Sequence, residues 1–169
     1  AAGLPLTRFG TLIATPLNTL LVLKDGPVKS IADLKGRKVG YSIGGFEDAL
    51  LRAMLARHGL SLNDITLVNV NFSLSPALLA GQVDAVIGAY RNFELNQMDI
   101  EGYRGRAFYV EEHGVPSYDE LILVANPDHM DRAVLRRFLD ALEDGVRYLI
   151  NHPDESWTLF IHGRSELDD

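Results

Sequence analysis

Arg37-Lys38-Val39-Gly40-Tyr41-Ser42-Ile43-Gly44-Gly45-Phe46-Glu47-Asp48-Ala49-Leu50-Leu51-Arg52-Ala53-Met54 is the stretch that decides the fold class. Arg37–Ile43 reads as a β-strand with Val39, Tyr41 and Ile43 on one face. Beyond the Gly44-Gly45 turn, Phe46, Ala49, Leu50, Ala53 and Met54 recur at i, i+3, i+4, i+7 and i+8, the spacing of an amphipathic helix. Glu47 and Asp48 in its first turn and Arg57-His58 in its last both suit the helix dipole, and Gly59 stops it. A strand passed straight to a helix is half of a parallel βαβ unit, which predicts an α/β fold.

Working outward, the pattern repeats. Ile65–Phe72 reads as a strand in which Asn69 and Asn71 alternate with Val68, Val70 and Phe72. Ser75-Pro76 opens a short helix over Ala77–Ala80, and Gly81 closes it. Val83–Gly88 is apolar except for Asp84, as expected of a strand covered on both faces. Arg106–Val110 and Glu120–Ala125 are further strands. Asp131 caps a long helix with Val134, Leu135, Phe138, Leu139, Leu142, Val146, Leu149 and Ile150 at helical spacing; Pro153 ends it, and Asp154–Ile161 forms another helix. Upstream, the apolar runs Thr11–Ile13 and Leu20–Leu23 flank Thr15-Pro16-Leu17-Asn18, where Pro16 marks an edge, bend or crossing. Ser30 caps a short helix, Ile31–Lys35, with Gly36 just beyond it.

Composition narrows the function classes. The chain has 169 residues, enough for one domain or two small ones, and a normal globular share of hydrophobic residues, 47%. Its formal net charge is −7 with no Lys/Arg run, which argues against sequence-independent nucleic-acid binding. The absence of cysteine removes disulfides, thiolate zinc sites, iron–sulfur clusters and cysteine nucleophiles. No apolar run reaches the roughly 18 residues of a membrane span. No charged segment precedes an apolar one as in a signal peptide, and Ala1-Ala2-Gly3-Leu4-Pro5 reads as an internal start. His58, His113, His129, His152 and His162 show no metal-ligand spacing, and no serine lies in a G-x-S-x-G elbow. We therefore expect no metal site and no catalytic residue.

Two places can carry chemistry. Gly44-Gly45 offers backbone N–H groups at a helix N-terminus, although glycine also serves a tight turn there. Glu47 and Asp48 make a phosphate unattractive. Gly88-Ala89-Tyr90-Arg91-Asn92-Phe93-Glu94 follows an apolar strand at its carboxyl end, where open α/β sheets bind ligands. A Tyr face can stack on a heteroaromatic ring, Asn offers donor and acceptor, and a carboxylate accepts from an amine or ring N–H. A solvated loop with one packed aromatic is the plainer reading. Trp157, on a stripe with Phe160 and Ile161, is expected to pack in a core.

Ser30-Ile31-Ala32-Asp33-Leu34-Lys35-Gly36-Arg37-Lys38-Val39-Gly40 and Gly81-Gln82-Val83-Asp84-Ala85 resemble segments common among ABC-importer solute-binding proteins. Asn69-Val70-Asn71-Phe72, the Gly88–Glu94 segment and His113-Gly114-Val115-Pro116-Ser117-Tyr118-Asp119-Glu120-Leu121 are similar to the thiamine-pyrimidine precursor-binding branch of that group, the NMT1/THI5-like relatives of yeast pyrimidine synthases. The resemblance covers nearly the whole chain. It implies an α/β, periplasmic-binding-protein type II fold of two lobes closing on a pyrimidine, with the first lobe incomplete. Residues 1–36 would be a remnant of lobe 1 with a crossing strand, 37–118 lobe 2, and 119–169 a crossing strand with C-terminal helices of lobe 1.

The same resemblance makes Gly44, Gly45, Phe46, Tyr90, Asn92 and Glu94 the expected ligand-binding residues. It implies a non-enzymatic importer component without a cofactor, binding an aminopyrimidine such as hydroxymethylpyrimidine or formylaminopyrimidine. Its partner would be an ABC permease, in the periplasm or at a lipid-anchored extracytoplasmic position. Many relatives have Trp where Arg91 stands here. The yeast synthases use a segment with histidine and cysteine and a PLP lysine, so a cysteine-free chain speaks against that chemistry. The alternatives are the effector domain of a transcriptional regulator and a pyrimidine synthase-like enzyme. If lobe 1 is incomplete, Thr11–Ile13, Leu20–Leu23 and Leu121–Val124 keep an unpaired edge, the long helix loses cover, and self-association follows.

Overall fold

The structure is a computed structural model that describes residues 3–164, and the chain divides into two units. One is Ile13–Leu121; the other joins residues 3–12 to 122–164 among those described.

The first unit carries a five-stranded sheet. Its strands are β2 (Asn18–Leu23), β3 (Lys38–Tyr41), β4 (Thr66–Asn69), β5 (Ala85–Tyr90) and β6 (Gly105–Tyr109), in the order β4-β3-β5-β2-β6. β3 runs parallel to both β4 and β5, whereas β2 lies antiparallel to β5 and to β6. The expectation that Leu20–Leu23 would keep an unpaired edge is therefore corrected: β2 is flanked on both sides. Its sequence explains the placement. Leu20 and Val22 pack into one apolar cluster and Leu21 into the other, all three with no exposed surface. A strand apolar on both faces is worth most in the middle of a sheet, where each buried Leu or Val contributes about 1.5–3 kcal/mol.

Helices supply both covers. α1 (Glu47–Ala56) sends Leu50, Leu51, Met54 and Leu55 into the cluster with Val39 and Ile87. α2 (Leu74–Leu79) and α3 (Glu94–Ile100) close the opposite face with Leu74, Ala77, Leu78 and Met98 against Val86 and Ala89. α2 begins at Leu74, three residues before the expected Ala77, and Leu74 is buried at its first position. α3 falls where the sequence reading left a loop. Only Leu95 and Met98 of that segment join the apolar cluster, too few for a periodic signal.

The second unit is built on β1 (Thr7–Ile13) and β7 (Leu121–Ala125), which pair as a two-stranded sheet, with α4 (Arg132–Asn151) and α5 (Pro153–Ile161). Asp131 caps α4 as its sequence indicates, its carboxylate accepting from the N–H groups of Ala133 (2.8 Å) and Val134 (3.2 Å). Phe9 meets Phe138 edge to face at 6.3 Å. The apolar stripe of α4 nevertheless has no buried member. Trp157 stacks on Phe160 at 5.8 Å but is 56% exposed, which overturns the expectation that it lies in a core.

Candidate functional site

In the first unit the parallel strands β3, β4 and β5 end on one side, and a pocket of about 200 Å³ opens there. Ser42 and Ile43 line it from the loop after β3, Glu47 from the start of α1, and Phe72 and Leu74 from the segment into α2. Gly88 and Tyr90 line it from β5, and Glu94 from the start of α3. It holds two carboxylates, two aromatic rings and a serine hydroxyl, and among the described residues no Lys, Arg or His lines it.

Glu47 is the most constrained of these side chains. Only 3% of it is exposed, and its carboxylate accepts from Ser42 N–H (2.7 Å), Ile43 N–H (3.1 Å) and the Ser42 hydroxyl (2.6 Å). The space it fills is made by Gly88. The β2–β5 register slips between Thr19 and Leu20, so Gly88 bulges out of the ladder with φ +99°. A Cβ at that position would overlap the Glu47 carboxylate. Glycine is required here both for its positive φ and for the close approach of a buried charge.

Glu94 turns back onto its own loop and accepts from Tyr90 N–H at 2.5 Å. Burial pushes its carboxyl above the ordinary carboxylate range. The N–H groups of Tyr90 and Glu94 oppose the shift and the negative Glu47 adds to it. Tyr90 is half-buried, and its phenol is held above its usual range by burial first and then by Glu120, Glu94 and Glu47. It stays a neutral donor through the physiological range.

A second polar cluster adjoins Tyr90. Asn18, paired across the ladder with Tyr90, is 2% exposed. Glu120 accepts from Leu17 N–H (2.8 Å), Asn18 N–H (3.1 Å), Asn18 Nδ2 (2.9 Å) and the Tyr118 hydroxyl (2.9 Å). Burial and Glu120 both raise the Tyr118 phenol strongly. Asn18 Oδ1 has no hydrogen-bond partner among the described residues.

The structure thus brings Tyr90 and Glu94 together in one pocket. Gly44, Gly45 and Phe46 form the turn before α1, with Phe46 edge-on to Tyr118 at 6.1 Å, and are not among the pocket-lining residues. Asn92 lines a different cavity with Phe93, Asn96 and Ile100. Arg91 faces Glu111 at 2.8 Å and lies over the Tyr109 ring at 4.3 Å. Glu47, Asn18, Tyr118 and Glu120 did not emerge from the sequence as site residues. For Glu47 the available signal was a glycine interrupting an apolar strand beside an aromatic residue, which marks a bulge.

Comparison with known proteins gives the pocket a context. The family model described as NMT1/THI5 like matches residues 1–156. A protein of Haemophilus influenzae assigned by name to thiamine biosynthesis is 59% identical over 161 residues, covering 95% of this chain and 51% of that protein. A formylaminopyrimidine-binding protein of Halalkalibacterium halodurans is 30% identical over 167 residues, covering 98% of this chain and 51% of the other. The chain therefore spans about half the length of the curated relatives it matches. Among solved structures, the periplasmic aliphatic sulphonate binding protein SsuA from Escherichia coli superposes with a TM-score of 0.73 at 22% identity. The superposition covers 95% of this chain and 55% of that one. That likeness shows the fold, an α/β fold of the periplasmic-binding-protein type II class.

Proposed function

The chain belongs to the NMT1/THI5-like family, and from that premise we propose that it is part of a solute-binding protein. The protein captures an aminopyrimidine precursor of thiamine outside the cytoplasm and delivers it to an ABC permease. The observation that carries this reading is the convergence of Tyr90 and Glu94 on a pocket at the carboxyl ends of parallel strands.

The chemistry of recognition follows from the groups present. The exposed part of the Tyr90 ring gives a flat aromatic surface for a six-membered heterocycle, and its phenol donates a hydrogen bond. Glu94 and Glu47 offer only acceptors when ionised, so they favour a ligand edge rich in N–H, as an aminopyrimidine has. Phe72, 82% exposed at the rim, can fold against the bound ring and remove its own surface from water. We carry Gly44, Gly45, Phe46 and Asn92 as second-rank candidates, since they flank the pocket in sequence without lining it. Each of these interactions binds and orients; none makes or breaks a covalent bond in the ligand.

The test is calorimetric titration of formylaminopyrimidine and hydroxymethylpyrimidine into this chain and into an intact relative. Binding is expected with the intact relative. Glu94→Gln should weaken it by about 1–3 kcal/mol, the cost of leaving a buried polar partner unsatisfied. The absence of heat and of any thermal shift with every aminopyrimidine tried would refute the proposal.

A further inference from the structure

Among the carboxylates that line the pocket, Glu47 is buried and already hydrogen-bonded. The loop Ser42–Ile43 leads into the ten-residue helix α1, and its two N–H groups and the Ser42 hydroxyl converge on one point. In many α/β proteins such a convergence holds an anionic ligand. Here that point is already filled by the chain's own carboxylate, 97% removed from solvent and reaching it through the gap that Gly88 leaves in β5. The second carboxylate, Glu94, lines the same pocket, and no lining residue is cationic to offset the two.

We propose that Glu47 is a specificity-determining residue: it occupies the donors that an anion would use and turns the pocket against negatively charged ligands. The inference deepens the aminopyrimidine reading and rests on it for the choice of pocket. A sulphonate or carboxylate entering the pocket would meet two negative charges and no free Ser42 or Ile43 N–H. A neutral or protonated ring with N–H groups would meet acceptors only. Ser42 and Gly88 act through Glu47, the one by holding its carboxylate and the other by leaving room for it.

The test uses the chain itself and the amide resonances of Ser42 and Ile43, read by NMR while methanesulfonate is titrated into the millimolar range. The wild-type chain should show no saturable shift at either amide. Glu47→Ala frees both donors, and methanesulfonate affinity should rise at least about tenfold, the worth of one charge-assisted hydrogen bond. Where Glu47→Ala loses its melting transition, Glu47→Gln replaces it. The amide keeps an acceptor for Ser42 and Ile43 and removes the charge, so a smaller gain of the same sign is expected. A saturable shift in the wild-type chain, or no gain in a variant that melts cooperatively, overturns the role of Glu47 and leaves the aminopyrimidine reading intact. A gain in the variant together with failure of an intact relative to bind any aminopyrimidine overturns that reading and upholds anion exclusion.

Discussion

Gly88 and Glu47 stand forty-one positions apart and share one volume, so a single methyl group tests the arrangement. Gly88→Ala must adopt φ +99° with a side chain and displace a buried carboxylate from three donors. We expect a loss of about 1–3 kcal/mol in urea unfolding, the usual cost of a strained backbone position. Glu94 gives a pH signature of known sign. Its carboxyl is raised in the folded state, chiefly by burial, so the unfolded chain loses this proton at a lower pH than the folded one. Stability from this group is complete below the ordinary carboxylate pKa and is lost as pH rises through the folded value. Glu94→Gln should therefore melt higher than wild type at pH 7, with the gap closing near pH 4, as followed by thermal scans. A constant gap would assign the effect to packing. These residues also mark how far the sequence could be read. Tyr90 and Glu94 could be picked out because they stand at or just after the end of a buried strand and in a segment that resembles the family's; the structure sets both on one pocket. Glu47 was read as a helix-dipole charge, since its inward turn depends on a bulge that only the β2–β5 pairing creates.

At the scale of elements, the apolar code was readable wherever it was periodic. β3, α1, α4 and α5 lie close to where the patterns set them. The open edge expected for β2 fails because an apolar run of four residues says that a strand is buried, not which strands flank it; that is decided by β5 and β6, far along the chain. α3 escaped notice because its only turn-to-turn apolar pair is Leu95 and Met98. The two long helices make opposite predictions. Leu51 of α1 has no exposed surface, and Leu51→Ala should cost about 2–5 kcal/mol by lost transfer energy and the cavity left behind. Leu149 of α4 is 55% exposed, and Leu149→Ala should change stability by less than about 0.5 kcal/mol. Denaturant titration of both variants, monitored by far-ultraviolet circular dichroism, measures the contrast.

At the scale of the whole molecule, large apolar side chains stay exposed in both units, Phe72, Phe93 and Ile100 in the first among them. Val134, Phe138, Val146, Leu149, Ile150 and Leu159 are each at least 40% exposed, all in the second unit. Exposed apolar side chains at helical spacing favour association. We expect light scattering after size exclusion to give a mass above the 18.7 kDa of one chain, and Leu149→Lys with Ile150→Lys to lower it toward that value. A clean wild-type monomer would overturn the expectation that these exposed side chains drive self-association. The central place of β2 has a further consequence, for synthesis. Asn18–Leu23 leaves the ribosome before its two partners, which end at Tyr90 and Tyr109. At about 5–20 residues per second the wait lasts several seconds. During that interval Leu20-Leu21-Val22-Leu23 is an apolar strand without its partners, so the growing chain is exposed to wrong pairing until β5 and β6 emerge.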